Sequence, residues 1–260
     1  MLLVADIGNT NITLGIYQGS TLIETWNLAS DKNKTEDEYG LNLLNLINHK
    51  IKGASIDSAV ISSVVPSLTE KFRTAVEKYL DSSVLVITSK TKTGIILDVE
   101  NPKEVGCDRI ANACAAYNLY KAPVVVVDFG TATNFDIVTF EGKFIGGIIA
   151  PGLKISAESF SSFTNLLPKL KLEEINSVIG KNTIKNMLSG VVVGHAAMID
   201  GLIRRIEEEM QTSVTTIATG GFSSIVTKHM ERPFDHFNKN LTLEGLRLIY
   251  ELNNTKLQSI

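Results

Sequence analysis

The chain has only two cysteines in 260 residues, Cys107 and Cys114. They lie on one predicted helix, where two helical turns separate them by about 10 Å, too far for a disulfide. No Cys/His pair has the spacing of a zinc site, and both cysteines read as small buried residues. A basic excess is also missing. Lys and Arg number 25 against 28 Asp and Glu, for a net charge of −3, and nothing in that balance points to nucleic acid or to a membrane surface. No N-terminal apolar segment is flanked by Lys or Arg, because Asp6 interrupts the first apolar run. The longest later run, Val191 to Ile199, contains Gly194 and His195 and falls far short of the ~20 residues a spanning helix needs. The expected compartment is the cytoplasm. Two common nucleotide motifs are absent as well. Gly180-Lys181 is followed by Asn182, and Ile175 stands where a G-x-x-x-x-G-K-[ST] loop needs its first glycine; no G-x-G-x-x-G occurs.

What is present begins with a repeat. Leu2-Leu-Val-Ala-Asp6-Ile-Gly8-Asn9-Thr10-Asn11 has a counterpart in Val124-Val-Val-Val-Asp128-Phe-Gly130-Thr131-Ala-Thr133-Asn134. In both, an apolar strand ends in Asp-apolar-Gly and is followed by small hydroxyl and amide residues. Both continue into an apolar strand, a Gly turn (Gly19, Gly142) and a third strand. The offset between Asp6 and Asp128 is 122 residues, and the repeat is approximate. It divides the chain into halves at 1–100 and 101–260, in keeping with a length that suits two domains of roughly 130 residues each. Two such turns imply a duplicated fold with a polyphosphate held between the halves.

Strands alternating with helices after an initial meander imply a mixed α/β sheet in each half. Thr35 with Glu38 has capping-box spacing and opens a helix with Leu41, Leu44, Ile47 and Ile51 on one face. A strand at Ala59–Val65, a helix from Pro66 to about Leu80 and a strand at Val84–Thr88 follow. Asn101 is a good N-cap and Pro102 suits the first helical position, so a helix is predicted from Pro102 to Tyr120. Three strands from Pro123 to Ala150, a helix near Lys154–Phe163, a long helix over about Ile184–Gln211, a strand at Val214–Thr219 and a helix at Leu243–Leu252 complete the order. Trp26 and the Phe residues read as core.

The chemistry lies in the turns. Gly8 lets the backbone approach a ligand closely. Asn9, Thr10 and Asn11 offer amide, hydroxyl and N–H donors to phosphate oxygens. The Asp6 carboxylate would repel phosphate unless a cation lies between, so Asp6 reads as a holder of Mg²⁺, directly or through water. Asp128, Gly130, Thr131 and Thr133 repeat that logic. Gly106-Cys107-Asp108-Arg109 sits one turn into a predicted helix, near its N-terminus, where the positive dipole end favours an ionised Asp. Such a carboxylate can accept a proton from a substrate hydroxyl attacking phosphorus, and Arg109 can pair bidentately with a substrate carboxylate.

With Ala218-Thr-Gly220-Gly221 at the end of a late strand, these turns resemble those of the actin, sugar kinase and chaperone ATPase superfamily. That resemblance implies two similar mixed-sheet domains of the duplicated actin-like ATPase (ribonuclease H-like) fold with a nucleotide cleft between them. Four segments are similar, more specifically, to type III pantothenate kinases: Asp6-Ile-Gly-Asn-Thr-Asn-Ile-Thr13, Asn101-Pro-Lys-Glu-Val-Gly-Cys-Asp-Arg109, Asp128-Phe-Gly-Thr-Ala-Thr133 and Gly146-Gly-Ile-Ile-Ala-Pro-Gly152. The similarity runs from residue 1 to about residue 253. It implies ATP-dependent phosphorylation of pantothenate to 4′-phosphopantothenate, the first step of coenzyme A synthesis. ATP contacts fall on Asp6, Gly8, Asn9, Thr10, Asn11, Thr13, Gly130 and Thr131, with Gly220 and Gly221 against the adenosine. Asp108 is implied as the catalytic base, and Gly106, Cys107, Asp108 and Arg109 as substrate contacts. Thr183, in Gly180-Lys-Asn-Thr183, is implied as a further one. Asp128 takes a monovalent cation, K⁺ or NH₄⁺. Where family members often carry a substrate-touching Tyr before Asn-Pro, Val99 stands here. The family also implies a homodimer with the substrate site near the subunit interface.

Two other readings belong beside this one. One is a different enzyme of the superfamily, a small-sugar kinase or polyphosphate phosphatase. The other is a nucleotide-responsive transcription-accessory binding protein; the presence of Asp6, Asp108 and Asp128 argues against it, since a pure binder has no use for a base. Finally, Gly190, Gly194, Ala197 and Gly201 form a small-residue stripe at helical spacing. Each helix-interior glycine costs about 1 kcal/mol relative to Ala, so close packing is expected, on the chain's own sheet or on a second subunit. His195, on that stripe, reads as a satisfied packing residue rather than a ligand.

Overall fold

The computed structural model of the chain describes residues 1–88, 90–163 and 167–254. The N-terminal segment forms β1 (Leu2–Ile7), β2 (Asn11–Gln18) and β3 (Thr21–Ala29), then α1 (Glu36–Lys50), β4 (Ser58–Ser63), α2 (Pro66–Leu80) and β5 (Ser83–Val86). The strands order as β3-β2-β1-β4-β5. β1 pairs antiparallel with β2 and parallel with β4, so one strand is shared between a meander and a crossover. Alternation along β1 sorts the side chains. Leu3, Ala5 and Ile7 enter a core with Tyr39, Leu43, Leu68 and Phe72 of α1 and α2. Val4 joins a second core on the opposite face. The capping box at Thr35 forms as expected, with both reciprocal hydrogen bonds to Glu38 present, and α2 starts at Pro66.

After β6 (Ile96–Leu97), the expected helix from Pro102 does not run straight. Pro102–Glu104 is one 3₁₀ turn, Val105 is extended, and α3 begins at Cys107 and ends at Leu119. The Asn101 side chain donates to Glu104 Oε1 at 2.6 Å and caps no helical N–H. The reason is local: Val105, at φ −72° and ψ 122°, lies outside helical space, so the ladder restarts at Gly106.

α3 packs on the second face of the first sheet together with α8 (Leu241–Asn253). A Cβ on Gly245 of α8 would lie 1.9 Å from the Ala111 carbonyl oxygen, so only glycine allows this approach. Thr242 donates to Asn112 Oδ1 at 2.7 Å across the same contact. Packing therefore places residues 1–118 and α8 in one unit and residues 119–240 in another. The compact units are not the two sequence halves.

The second unit contains β7 (Val124–Phe129), β8 (Ala132–Val138), β9 (Lys143–Pro151), α4 (Leu153–Phe163), α5 (Thr183–Leu188), α6 (Gly194–Met210), β10 (Thr215–Gly220), α7 (Ser223–Val226) and β11 (His236–Phe237). Its strands follow β9-β8-β7-β10-β11. β7 pairs antiparallel with β8 and parallel with β10, just as β1 pairs with β2 and β4. The register shifts in corresponding hairpins too, at Ile16/Tyr17 and at Ile137/Val138. The repeat in sequence is thus a repeat in topology. β11 carries no sequence signal, being two exposed residues that pair with Ile217 and Ala218.

The predicted long helix is α5 and α6 joined by a π-helical turn at Ser189–Val193. The 28-residue run Thr183–Met210 is long and apolar enough by composition to cross a membrane. Its Val191, Val192, Ala196, Ile199 and Ile203 instead pack with Val125, Val127, Phe129 and Phe135, as a core helix does. Both cysteines are free, Cys114 buried and Cys107 partly so.

Candidate active site

In the first unit, Asp6 is the penultimate residue of β1, opposite Thr13 on β2 and Ser62 on β4. The turn after it folds back on itself. Gly8 N–H donates to the Asn11 carbonyl at 3.0 Å, Ser30 N–H donates to the Thr10 carbonyl at 3.0 Å, and Ser30 Oγ donates to the Gly8 carbonyl at 2.6 Å. Three carbonyl oxygens that would repel an anion are thereby engaged by the chain. Asn9, Thr10 and Asn11 are exposed. A Cβ at Gly8 would sit 3.1 Å from the Asn11 carbonyl, so glycine keeps the turn this tight. Thr13 donates to Asn27 Oδ1 at 3.1 Å, which fixes its hydroxyl beside the strand end.

The same unit carries the Gly106–Arg109 segment. Asp108 is the second residue of α3, at the helix start rather than one turn in. Its Oδ1 accepts from Arg109 N–H at 2.8 Å, which satisfies one of the amides a helix leaves open at its start. Gly106 is needed for this pose, because a Cβ there would lie 2.5 Å from Asp108 Oδ1. The Cys107 thiol reports on its neighbours. Burial, then the Asp108 charge and, more weakly, the Asp6 charge push its pKa up, against an opposing hydrogen bond from the Ser63 backbone. Asp6 and Asp108 are therefore close enough to act on one sulfur, although 102 residues separate them in sequence. Val99, half-buried, follows β6 in this unit.

In the second unit, Asp128 is the penultimate residue of β7, beside Thr219 of β10 and opposite Asn134 of β8. Thr131 at the tip of this turn is exposed, but the backbone beside it is closely packed. Gly220, at φ +88°, has backbone so near that a Cβ would lie 2.7 Å from Asp128 Oδ1 and from Phe129 N. A Cβ on Gly152 would lie 2.3 Å from the Thr131 carbonyl. Gly220 was legible as part of a Gly-Gly turn; the bracing role of Gly152 was not, because its contact with Thr131 exists only in three dimensions. Ser30 gave no sequence signal for the same reason. Gly221 has open space around it. Thr183 is the exposed first residue of α5, after an Asn182 N-cap that accepts from Lys185 N–H at 2.9 Å.

Among the described residues, no three His, Cys, Asp or Glu side chains cluster as metal ligands. One carboxylate per turn suits an ion that takes most of its ligands from water and from a substrate's phosphates, as Mg²⁺ does. The glycine stripe is open: among the described residues, no atom outside the helix's own backbone lies within 4 Å of a Cβ built on Gly190, Gly194 or Gly201. Among the described residues, the chain's own sheet does not cover it. His195, by contrast, is buried and hydrogen-bonded to Thr133.

Two mixed sheets of matching topology, each ending a central strand in an acidic turn, define the actin-like ATPase and sugar kinase fold. An inorganic polyphosphate/ATP-glucomannokinase from Arthrobacter sp. strain KM superposes with TM-score 0.51 at 14% identity, covering 97% of this chain and 99% of that one. A Campylobacter jejuni protein described as a candidate Baf family transcriptional activator superposes with TM-score 0.60 at 19% identity, covering 97% and 99%. A sequence model of type III pantothenate kinases matches residues 2–205. A type III pantothenate kinase of Roseiflexus sp. (strain RS-1) is 44% identical over 256 residues, covering 98% of this chain and all of that protein. The chain belongs to the type III pantothenate kinase family.

Proposed function

We propose that this protein transfers the γ-phosphoryl group of ATP to the primary hydroxyl of pantothenate, giving 4′-phosphopantothenate, the first step of coenzyme A synthesis. Beside the family membership, the observation that carries the reading is Asp108 at the start of α3, within electrostatic reach of the same thiol as Asp6. One oxygen of Asp108 is held by the Arg109 amide, which orients the other to accept the hydroxyl proton. The Arg109 guanidinium pairs with the pantothenate carboxylate. Gly106 and Cys107 line the substrate beside them, with Val99 and Thr183 as further contacts. Asp6, Gly8, Asn9, Thr10, Asn11, Thr13, Gly130 and Thr131 position the triphosphate, and Gly220 and Gly221 lie against the adenosine. Asp6 would hold Mg²⁺, directly or through water, and the ion would supply neutralisation of the charge on the phosphates. Asp128 takes a monovalent cation, K⁺ or NH₄⁺; the space that Gly220 leaves beside its Oδ1 suits this. Catalysis is then mostly positioning and charge stabilisation, as phosphoryl transfer requires.

We also propose a homodimer in the cytoplasm. The open stripe of Gly190, Gly194 and Gly201 supports a partner surface, as do large apolar side chains left exposed on β9 and α5, with Ile149 at 64% and Ile184 at 49%. The test of the function is ATP consumption with pantothenate and Mg²⁺, in K⁺ and again in Na⁺, with product mass recorded. Phosphopantothenate formed in K⁺ and not in Na⁺ is the expected outcome. A phosphorylated sugar, or phosphate released without an acceptor, would replace the substrate assignment.

A further inference from the structure

We propose that His195 is a positioning residue for the Asp128 turn, acting through the hydroxyl of Thr133. The inference rests on the reading of that turn as a phosphate site. Thr133 is fully buried, and its Oγ1 lies 2.9 Å from Nε2 of His195, itself only 6% exposed. Thr133 is also the register partner of Phe129. These two residues form the last pair of the β7–β8 ladder before Gly130, Thr131 and Ala132, so the hydrogen bond is made at the base of the turn. The His195 ring further meets the Phe129 ring at 6.4 Å, and Phe129 meets Phe234 edge-on at 6.1 Å. The helix thus grips both ends of the turn, one by a hydrogen bond and one by an aromatic contact.

A valine at 133 would suit a buried β-strand as well as threonine does, without the need to satisfy a hydroxyl. The polar pair therefore calls for a role that packing alone does not supply. The helix is also built to present His195. The π-helical turn Ser189–Val193 ends one residue short of it, and Gly194 N–H bonds back to the Ser189 carbonyl. Such a turn inserts one residue into the α-helical ladder and so rotates all that follows by about 100°. An uninterrupted α-helix of this sequence would aim another side chain at β8. Burial lowers the pKa of His195, which keeps the ring neutral, with one nitrogen to donate and one to accept.

The test compares Thr133→Val, His195→Leu, their double mutant and the conservative variants Thr133→Ser and His195→Gln, in the full-length protein. The readouts are KM for ATP, KM for pantothenate, and the Kd of a non-hydrolysable ATP analogue with Mg²⁺ measured by calorimetry. Thr133→Val and His195→Leu should each raise KM for ATP and the analogue Kd by roughly tenfold, the scale of one lost hydrogen bond, and leave KM for pantothenate unchanged. The double mutant should be no weaker than the weaker single, because both remove one interaction. Thr133→Ser should stay near wild type, and it decides the matter with Thr133→Val if the His195 variants do not fold. Wild-type nucleotide affinity in both Thr133→Val and His195→Leu would overturn the proposal and leave the pair a packing feature. A wild-type chain that binds the analogue but makes no phosphopantothenate would sink the substrate assignment only, since the analogue Kd still reads the effect of each variant. A wild-type chain that binds no nucleotide would overturn both.

Discussion

The turns after Asp6 and Asp128 share a sequence pattern and a strand topology, yet they are supported in different ways. The first is mounted from one side. Its residues 9–11 are exposed, and it is held by its own Gly8–Asn11 hydrogen bond and by Ser30 reaching over from the end of β3. The second is clamped: Gly152 presses on Thr131, Gly220 presses on Asp128 and Phe129, and His195 holds Thr133 from below. A duplicated motif keeps the strand register that presents its carboxylate, because that register is backbone geometry. The surroundings are free to diverge, since they come from other segments. A turn held from one side can adapt to a ligand, whereas one braced from several sides offers fixed donors.

That contrast can be tested from the largest effect downward. Asp108→Asn, in the unit of the exposed turn, should lower kcat by about 10²–10⁴-fold, the usual contribution of a general base. Calorimetry should find ATP binding nearly intact, so the exposed turn is unaffected by the loss of the base. Turnover equal to wild type would remove Asp108 from that role. Gly152→Ala comes next. Its Cβ would meet the Thr131 carbonyl at 2.3 Å, so the backbone must move, at about 1–3 kcal/mol in chemical denaturation and with weaker ATP binding. Gly8→Ala, with a 3.1 Å contact to the Asn11 carbonyl, should cost less stability than Gly152→Ala; equal losses would break the contrast between the turns. Ser30→Ala removes one hydrogen bond to the Gly8 carbonyl and should cost about 1 kcal/mol. Its effect should appear in KM for ATP and not in KM for pantothenate, and an unchanged KM for ATP would show that the first turn needs no support from β3.

Much of this was legible in order along the chain. The capping box at Thr35, the Pro66 helix start and the paired acidic turns each depend on residues within a few positions of one another, and each formed as read. The helix expected from Pro102 failed because Val105 is extended, a backbone choice that composition does not dictate. The glycine stripe was read as a packing face, for the chain's own sheet or for a second subunit; among the described residues the sheet does not cover it, since a pattern of small residues gives shape without naming what meets it.

The sequence by itself determined the duplication, the strand that carries each carboxylate and the family, because these follow from local periodicity and contiguous motifs. Only the tertiary structure decided that α3 and α8 belong with the first sheet, that Asp6 and Asp108 act on one thiol, and that Gly152, Gly220 and His195 converge on the second turn. Those relations join residues tens of positions apart, and they exist only once side chains are packed at contact distance.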